Sequence, residues 1–418
     1  MKLNKWTVGL VAVGVVSLTS AARADEKPSA VQTALSNTTI SGYVSASANV
    51  GLTGNYAASP ASNIPFEPPS KQNGFNLDVV KLVIAKPEDA TPWASGYEVD
   101  LLFGPDAANY NTSVNAVSDP TADFSIKQAF VTLNTPIGNG IDFKIGVFDS
   151  PLGYEVFDSG SNPNYTHSWG YYLEPTELTG LQASYKVCDA LSLNGGVADT
   201  SLAGINNRNN DEGPSDSAGH EAYFGDLTLT APSSWGFLAG STAFAGALYG
   251  GVDTLASGTP PFDGHMGGNQ VNYYGGLTLN TPWKALTGGV AFDFAQNYLG
   301  GSDFTSTFFS LQSTADIWAL GLYGTYKATD KLSFSARGEY VESDEHYSYS
   351  YAQNYTPSQN LVELTGTVEY DLWANVQTRV EVRWDQNLSS SEGLFPVGTT
   401  FVSERDDVGL YANVIYKF

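Results

Sequence analysis

A rhythm in the chain narrows its possible folds more than any single motif. Short segments in which every second residue is apolar recur from residue 40 onward, and the connections between them are alternately long and short. In the first, Ile40, Gly42, Val44, Ala46, Ala48 and Val50 stand on one face against Ser41, Tyr43, Ser45, Ser47 and Asn49 on the other. A period of two marks a strand with one apolar face, because successive side chains leave the pleat on opposite sides. Similar segments run over 75–85, 97–103, 124–133, 141–148, 178–187, 191–199, 222–229, 237–249, 271–279, 286–295, 317–327, 332–342, 361–370, 376–385 and 407–418, which makes sixteen. Long connections follow residues 52, 104, 148, 199, 249, 295, 342 and 385; short ones follow 85, 133, 187, 229, 279, 327 and 370. Both chain ends then fall on the side of the short turns, as in an even, antiparallel, up-and-down barrel. Segment 237–249 alternates poorly, so fourteen or eighteen strands stay open as counts.

The last segment says where such a barrel would sit. Val408, Leu410, Ala412, Val414, Tyr416 and Phe418 alternate with smaller or polar residues, Ile415 being the exception. An amphipathic edge ending in a bare Phe418 invites aggregation in water, yet suits a strand that closes a barrel in lipid. Trp93, Trp235, Trp283 and Trp373 fall at short turns, whereas Trp318 and Trp384 fall beside long loops. Two belts of amphipathic rings at the two membrane interfaces account for that distribution, the plain alternative being rings that pack their own turns. The expected fold class is all-β, a transmembrane antiparallel β-barrel over residues 40–418.

The first 24 residues read as a secretory leader: Lys2 and Lys5, an apolar run from Trp6 to Leu18, and a small-residue cleavage site at Ala22-Arg23-Ala24. Residues 25–39 read as a short periplasmic leader. No later stretch approaches the ~20 apolar residues of a spanning helix. Losing Lys2, Lys5 and Arg23 takes the formal charge from −24 to −27, and a chain this acidic is a poor partner for nucleic acid. Cys188 is the single cysteine, so no intrachain disulfide forms.

Between residues 124 and 187 the chain carries Ile126-Lys127-Gln128-Ala129-Phe130, Asn139-Gly140-Ile141-Asp142-Phe143-Lys144-Ile145-Gly146, Phe148-Asp149-Ser150-Pro151-Leu152-Gly153-Tyr154-Glu155, Asn162-Pro163-Asn164-Tyr165 and Thr179-Gly180-Leu181. These motifs resemble the outer-membrane β-barrel porin family described as OmpL-like, or porin type 2. Gly74-Phe75-Asn76-Leu77 with Lys81 is similar to the family's early strand, and the terminal Phe is shared. The resemblance implies the fold more than a mechanism, and brings no binding residues with it.

Residues 149–175 form the long connection richest in Gly, Pro, Asn and aromatics. A sixteen-stranded barrel is wide, and something must set its size cutoff. If this loop folds inward as the third outer loop of general porins does, it brings Asp149, Glu155, Asp158, Tyr165 and Glu174 toward the lumen; the alternative is an ordinary surface loop. Arg337, Arg379 and Arg383 occupy inward positions and would stand opposite, giving a transverse field across the passage. They equally suit cross-strand pairs with Glu363, Glu369, Glu339 or Glu381, with Arg383 opposite Glu363 if the hairpin turns at Trp373. Inward acids outnumber inward bases, which favours a mild cation preference.

Enzyme chemistry finds little footing. His167, His220, His265 and His346 lie in or beside four different outer loops, with no metal-pair spacing and no nucleophile beside them. No cofactor or metal is expected, and the acidic loop tips lack EF-hand spacing. The expected function is an outer-membrane porin for passive diffusion of small hydrophilic solutes and ions. The expected partners are outer-membrane lipid, the barrel-insertion machinery through the C-terminal strand, and those solutes, with a homotrimer left open. Two alternatives stand beside it. One is a sugar-selective channel with Tyr165, Trp169, Tyr171 and Tyr172 as a stacking track; the other is a non-conducting surface or adhesion barrel with a plugged lumen and a Tyr-rich loop at 347–355.

Overall fold

In the computed structural model the period-two segments become ladders that meet end to end. It describes residues 37–52, 71, 73–89, 91–108, 124–201, 205–206, 221–254, 266–298, 313–347, 359–388, 396–397, 400–401 and 406–418. The expected secretory leader and most of 25–39 lie outside these, as does most of the Tyr-rich loop. The strands are β1 (Thr39–Gly51), β2 (Gly74–Lys86), β3 (Ser95–Phe103), β4 (Phe124–Thr135), β5 (Ile141–Asp149), β6 (Glu177–Cys188), β7 (Leu191–Ala198) and β8 (Ala222–Thr230). They continue with β9 (Thr242–Thr254), β10 (Met266–Asn280), β11 (Leu286–Tyr298), β12 (Ser313–Lys327), β13 (Leu332–Tyr347), β14 (Gln359–Trp373), β15 (Val376–Asn387) and β16 (Asp406–Lys417). Each pairs antiparallel with its neighbours in sequence, and β16 pairs with β1 to close the sixteen into a barrel. A four-residue helix, α1 (Pro105–Ala108), follows β3.

The closing seam runs from Tyr43 opposite Lys417 to Gly51 opposite Gly409. At its end Gly42 and Phe418 exchange backbone hydrogen bonds of 3.0 and 2.9 Å. A Cβ on Gly42 would meet the Lys81 carbonyl and the Phe418 ring, so glycine is what lets the terminal ring lie over the neighbouring strand.

The two faces are reversed relative to a water-soluble sheet. Ile145, Leu181, Tyr223, Leu322, Val380, Leu410 and many like them are exposed on the outside, while Asp100, Asp293, Arg337, Glu363 and Arg379 are buried inside. Apolar-out and polar-in alternation is the requirement of a barrel in lipid, where closure removes every unpaired edge. Trp93, Trp235, Trp283 and Trp373 are exposed at the short turns. Trp318 lies on the outer surface against Phe292 and Tyr340, toward the opposite end, and Trp384 sits on the outward-facing register beside Val382.

Three details differ from the sequence expectation. The segment expected as 237–249 begins as a 3-10 turn at Ser233–Leu238, and β9 starts only at Thr242; Gly236 and Gly240 take positive φ there, which ends one strand's register before the next begins. β10 and β13 run further outward than their apolar alternation, because above the lipid a ladder needs no apolar outer face. Arg383 lies opposite Thr365, and Glu363 opposite Asp385, because the β14–β15 turn is centred one residue later than Trp373.

Candidate functional site

The connection between β5 and β6 leaves the wall through a narrow neck. Ser150 donates its backbone N–H to Thr176 at 3.0 Å, Asp149 is ion-paired with Lys127, and the Asp149 N–H reaches the Gln128 side chain at 3.0 Å. The loop carries its own local order. Asn162 clasps Val156 through both of its backbone groups at 2.9 and 2.6 Å, and the five-residue helix α2 (Trp169–Leu173) is capped by Ser168, which accepts from Tyr171 at 3.0 Å. His167 is hydrogen-bonded to the Val156 carbonyl at 3.0 Å and stacked on Tyr171. Burial holds its ring nitrogen below the ordinary histidine range, so it is neutral.

From the neck the loop crosses the barrel and meets the far wall in a polar seam. A chain segment in that position has no ladder partner, and its buried N–H and C=O groups must be satisfied by something else. Wall side chains supply the partners, cations for carbonyls and carboxylates for N–H groups. Arg337 donates to the Thr166 carbonyl at 2.7 Å and pairs with Glu155 at 2.9 Å and Glu363 at 3.1 Å. Arg379 donates to the carbonyls of Ser159 at 2.6 Å and Asn164 at 3.2 Å, and is held from behind by Asn413 at 2.8 Å. Arg383 donates to the His167 carbonyl at 2.5 Å and pairs with Asp385 at 2.7 Å. In return Glu381 accepts from the N–H groups of Tyr165 and Thr166 at 2.5 and 2.9 Å, and Glu339 from those of Trp169 and Gly170 at 2.6 and 2.8 Å.

At the loop tip Asp158 accepts from Tyr43 at 2.9 Å and Lys81 at 2.8 Å, and the Tyr165 hydroxyl donates to Asp78 at 3.1 Å. Burial alone would raise the Asp158 carboxyl; Lys81 and Lys127 outweigh it and hold the group below its ordinary range.

The other side of the loop meets the wall through an apolar seam. Leu152 packs with Phe148, Leu178, Phe224, Leu248, Tyr274, Ala291 and Tyr323, and Tyr154 stacks on Tyr323 with ring centroids 4.3 Å apart. Two wall glycines make the room: a Cβ on Gly246 would collide with Leu152, and one on Gly289 with the Tyr154 hydroxyl. The barrel thus holds a small hydrophobic core of its own, between the near-side strands and the loop.

The structure brings Glu155, Asp158 and Tyr165 together with the inward side chains of the far wall, and Glu174 with Asp293 of β11; Asp149 stays at the neck. Arg337, Arg379 and Arg383, expected either to face the acidic loop across an open passage or to pair with carboxylates across strands, lie beneath the loop at 2%, 2% and 0% exposure; its carbonyls need donors, and Arg337 makes the cross-strand pair with Glu363. The stacking track meets a similar correction: Tyr165, Trp169 and Tyr171 are buried in packing and offer no free ring face to a sugar. Every strand of the barrel has at least one buried side chain, from Ser45 on β1 and Lys81 on β2 round to Asn413 on β16. Sequence reasoning missed Asp78, Asp385 and Asn413 as loop supports, although their place in the alternation marks them as inward; nothing in the pattern marks Gly246 and Gly289.

A family model, "Putative beta-barrel porin-2, OmpL-like", matches residues 37–418, the whole of the barrel. The chain belongs to that family. It is a family of outer-membrane channel barrels, and among solved structures the same fold recurs. The outer membrane channel DcaP of Acinetobacter baumannii is 14% identical with a TM-score of 0.56, over 91% of this chain and 97% of that one. An anion-selective porin from Comamonas acidovorans is 11% identical with a TM-score of 0.56, over 91% and 99%. The trimer form of OmpT, an outer membrane protein of Vibrio cholerae, is 13% identical with a TM-score of 0.54, over 91% and 99%. At these identities the likeness is one of fold. No curated protein sequence matches the chain.

Proposed function

We propose that this member of the porin family is a narrow, passive channel for small hydrophilic solutes and ions, with the loop 149–175 setting its size cutoff. The observation that carries the reading is the attachment of that loop to the far wall through Arg337, Arg379, Arg383, Glu339 and Glu381. A segment so placed leaves little free cross-section, so the passage admits ions and small polar molecules only. A mild cation preference belongs to the same reading. The arginines that would oppose it are matched by carboxylates or loop carbonyls, while the chain as a whole carries a formal charge of −24. Outer-membrane placement after leader cleavage, insertion guided by the C-terminal strand, and a homotrimer complete the proposal, the last supported by the trimer form of the similar Vibrio cholerae protein.

Planar-bilayer current from the refolded protein, under a salt gradient, tests it. Expected are small open steps with a cation-biased reversal potential, and steps several-fold larger once residues 151–175 are replaced by a short glycine–serine link. A second reading, a non-conducting surface barrel, is favoured by the buried side chains on every strand. Silence from the intact protein and from the loop-replaced protein alike would establish it and end the channel reading.

A further inference from the structure

Two charges on the barrel wall are left over by the loop. Among the described residues, Glu98 of β3 and Lys144 of β5 make neither an ion pair nor a hydrogen bond. The charges around them are matched: Lys81 pairs with Asp100 at 2.9 Å and with Asp158 at 2.8 Å, and Lys127 pairs with Asp149. Both are half-buried, and both lie nearer the short turns than Asp100 and Asp149 of the same strands, on the inner side of the loop's neck. Phe130 of β4 stands between them, directly opposite Glu98 on one side and Gly146 on the other. Gly146 has no side chain to fill the space over the ring. The Lys144 ammonium occupies it instead, 4.3 Å from the Phe130 centroid and 5.8 Å from that of Phe148. The residues opposite Lys144, Thr132 and Gln182, are neutral. A ring face is a weak substitute for a carboxylate as the partner of an ammonium, so Lys144 stays available to an anion.

Resting on the channel reading, we propose that Glu98, Phe130 and Lys144 form a binding site for a zwitterionic amino acid with an apolar side chain, occupied in transit beside the loop. The solute's ammonium donates to Glu98, its carboxylate accepts from Lys144, and its side chain lies on the uncovered part of the Phe130 ring. The spacing suits such a molecule. β3 and β5 are two strand spacings apart, ~10 Å. A hydrogen bond of about 2.9 Å at each end leaves a few ångströms between, which the two charged groups on one α-carbon span. The same arrangement discriminates, because specificity is a difference of affinities. A simple anion gains Lys144 but meets Glu98, and a simple cation gains Glu98 but meets Lys144. The zwitterion matches both. The pair is neutral as a whole, so it leaves the ion preference of the channel to the rest of the lumen.

The test is interruption of single-channel KCl current by millimolar L-phenylalanine near neutral pH, where the amino acid carries both charges. Phenylpropionate and phenethylamine, which carry the same ring with one charge each, run alongside. At equal concentration L-phenylalanine is expected to block about tenfold more than either analogue, each of which lacks one charge-assisted hydrogen bond. Glu98→Gln is expected to make phenylpropionate as effective as L-phenylalanine, and Lys144→Met to do the same for phenethylamine, with folding of each checked by its heat-dependent gel shift. Lys186→Met, which removes a cation paired with Asp189 beside a short turn, is expected to keep the wild-type order. Equal block by all three compounds in the wild type, no block of a conducting protein, the wild-type order in Glu98→Gln and Lys144→Met, or its loss in Lys186→Met overturns the site and leaves the channel standing. A refolded protein that passes no KCl current removes the channel reading and the site with it.

Discussion

Arg337 joins three buried partners from the loop and the wall. Its guanidinium satisfies Glu155 from the loop, Glu363 from β14 and the Thr166 carbonyl, all buried. The worth of such a group is measured by what its removal leaves behind: Glu155 buried without its cation, and Glu363 with Arg383 4.0 Å away. Arg337→Met is expected to cost about 3–5 kcal/mol, read from urea unfolding of the refolded barrel. It should also raise single-channel conductance, since the loop loses its central tie. Arg337→Lys should recover only part of either effect, because an ammonium cannot reproduce the planar fork that reaches all three partners. Equal stability of the Met variant and the wild type would mean that the buried pairs contribute little and that the apolar seam alone holds the loop.

At the scale of the element, β16 shows what the sequence made legible and what it did not. Its alternation places Val408, Leu410, Ala412, Val414 and Tyr416 toward lipid, and its terminal Phe418 closes the ring through two backbone hydrogen bonds with Gly42. Deleting Phe418 removes both bonds and the ring over Gly42. Folded yield into detergent or lipid, followed by the heat-dependent gel shift, is expected to fall several-fold; an unchanged yield would show that closure does not depend on the last residue. Strands of this kind are written in period two, which is why the sixteen elements and the rhythm of their connections were readable. The loop is different. Its composition singled it out, and the alternation placed Arg337, Arg379 and Arg383 inside, but a chain that packs into a barrel obeys no period. Its partners are set by where its own carbonyls and N–H groups land, so the arginines emerged as supports beneath the loop rather than as a wall facing it. Gly246 and Gly289 were unreadable for a related reason, since an inward glycine looks alike whether it faces water or receives Leu152 or Tyr154. Segment 237–249 failed locally, where exposed Trp235 and Phe237 at a turn imitate the start of a strand.

For the whole molecule, the exposed apolar band assigns the outer face to lipid and the charged lumen to the inside. Val380, outward on β15 and 54% exposed, lies between Arg379 and Glu381, which are inward and buried. Val380→Arg is expected to destabilise the barrel in lipid by about 2–4 kcal/mol if its place is near the bilayer midplane, while the same change at outward residues beside the short turns costs about 0–1 kcal/mol. Stability in phosphatidylcholine vesicles across a series of outward positions therefore maps the depth of each. A flat profile would contradict a membrane-spanning belt.

The loop's two seams also bear on the mechanics of the tube. It is fastened to the near wall by packing at Leu152 and Tyr154 and to the far wall by ties to β13 and β15. It acts as a strut across a hollow cylinder, so the cross-section resists being squeezed into an ellipse by lateral pressure from the surrounding lipid. Without it the same sixteen strands form a softer hoop.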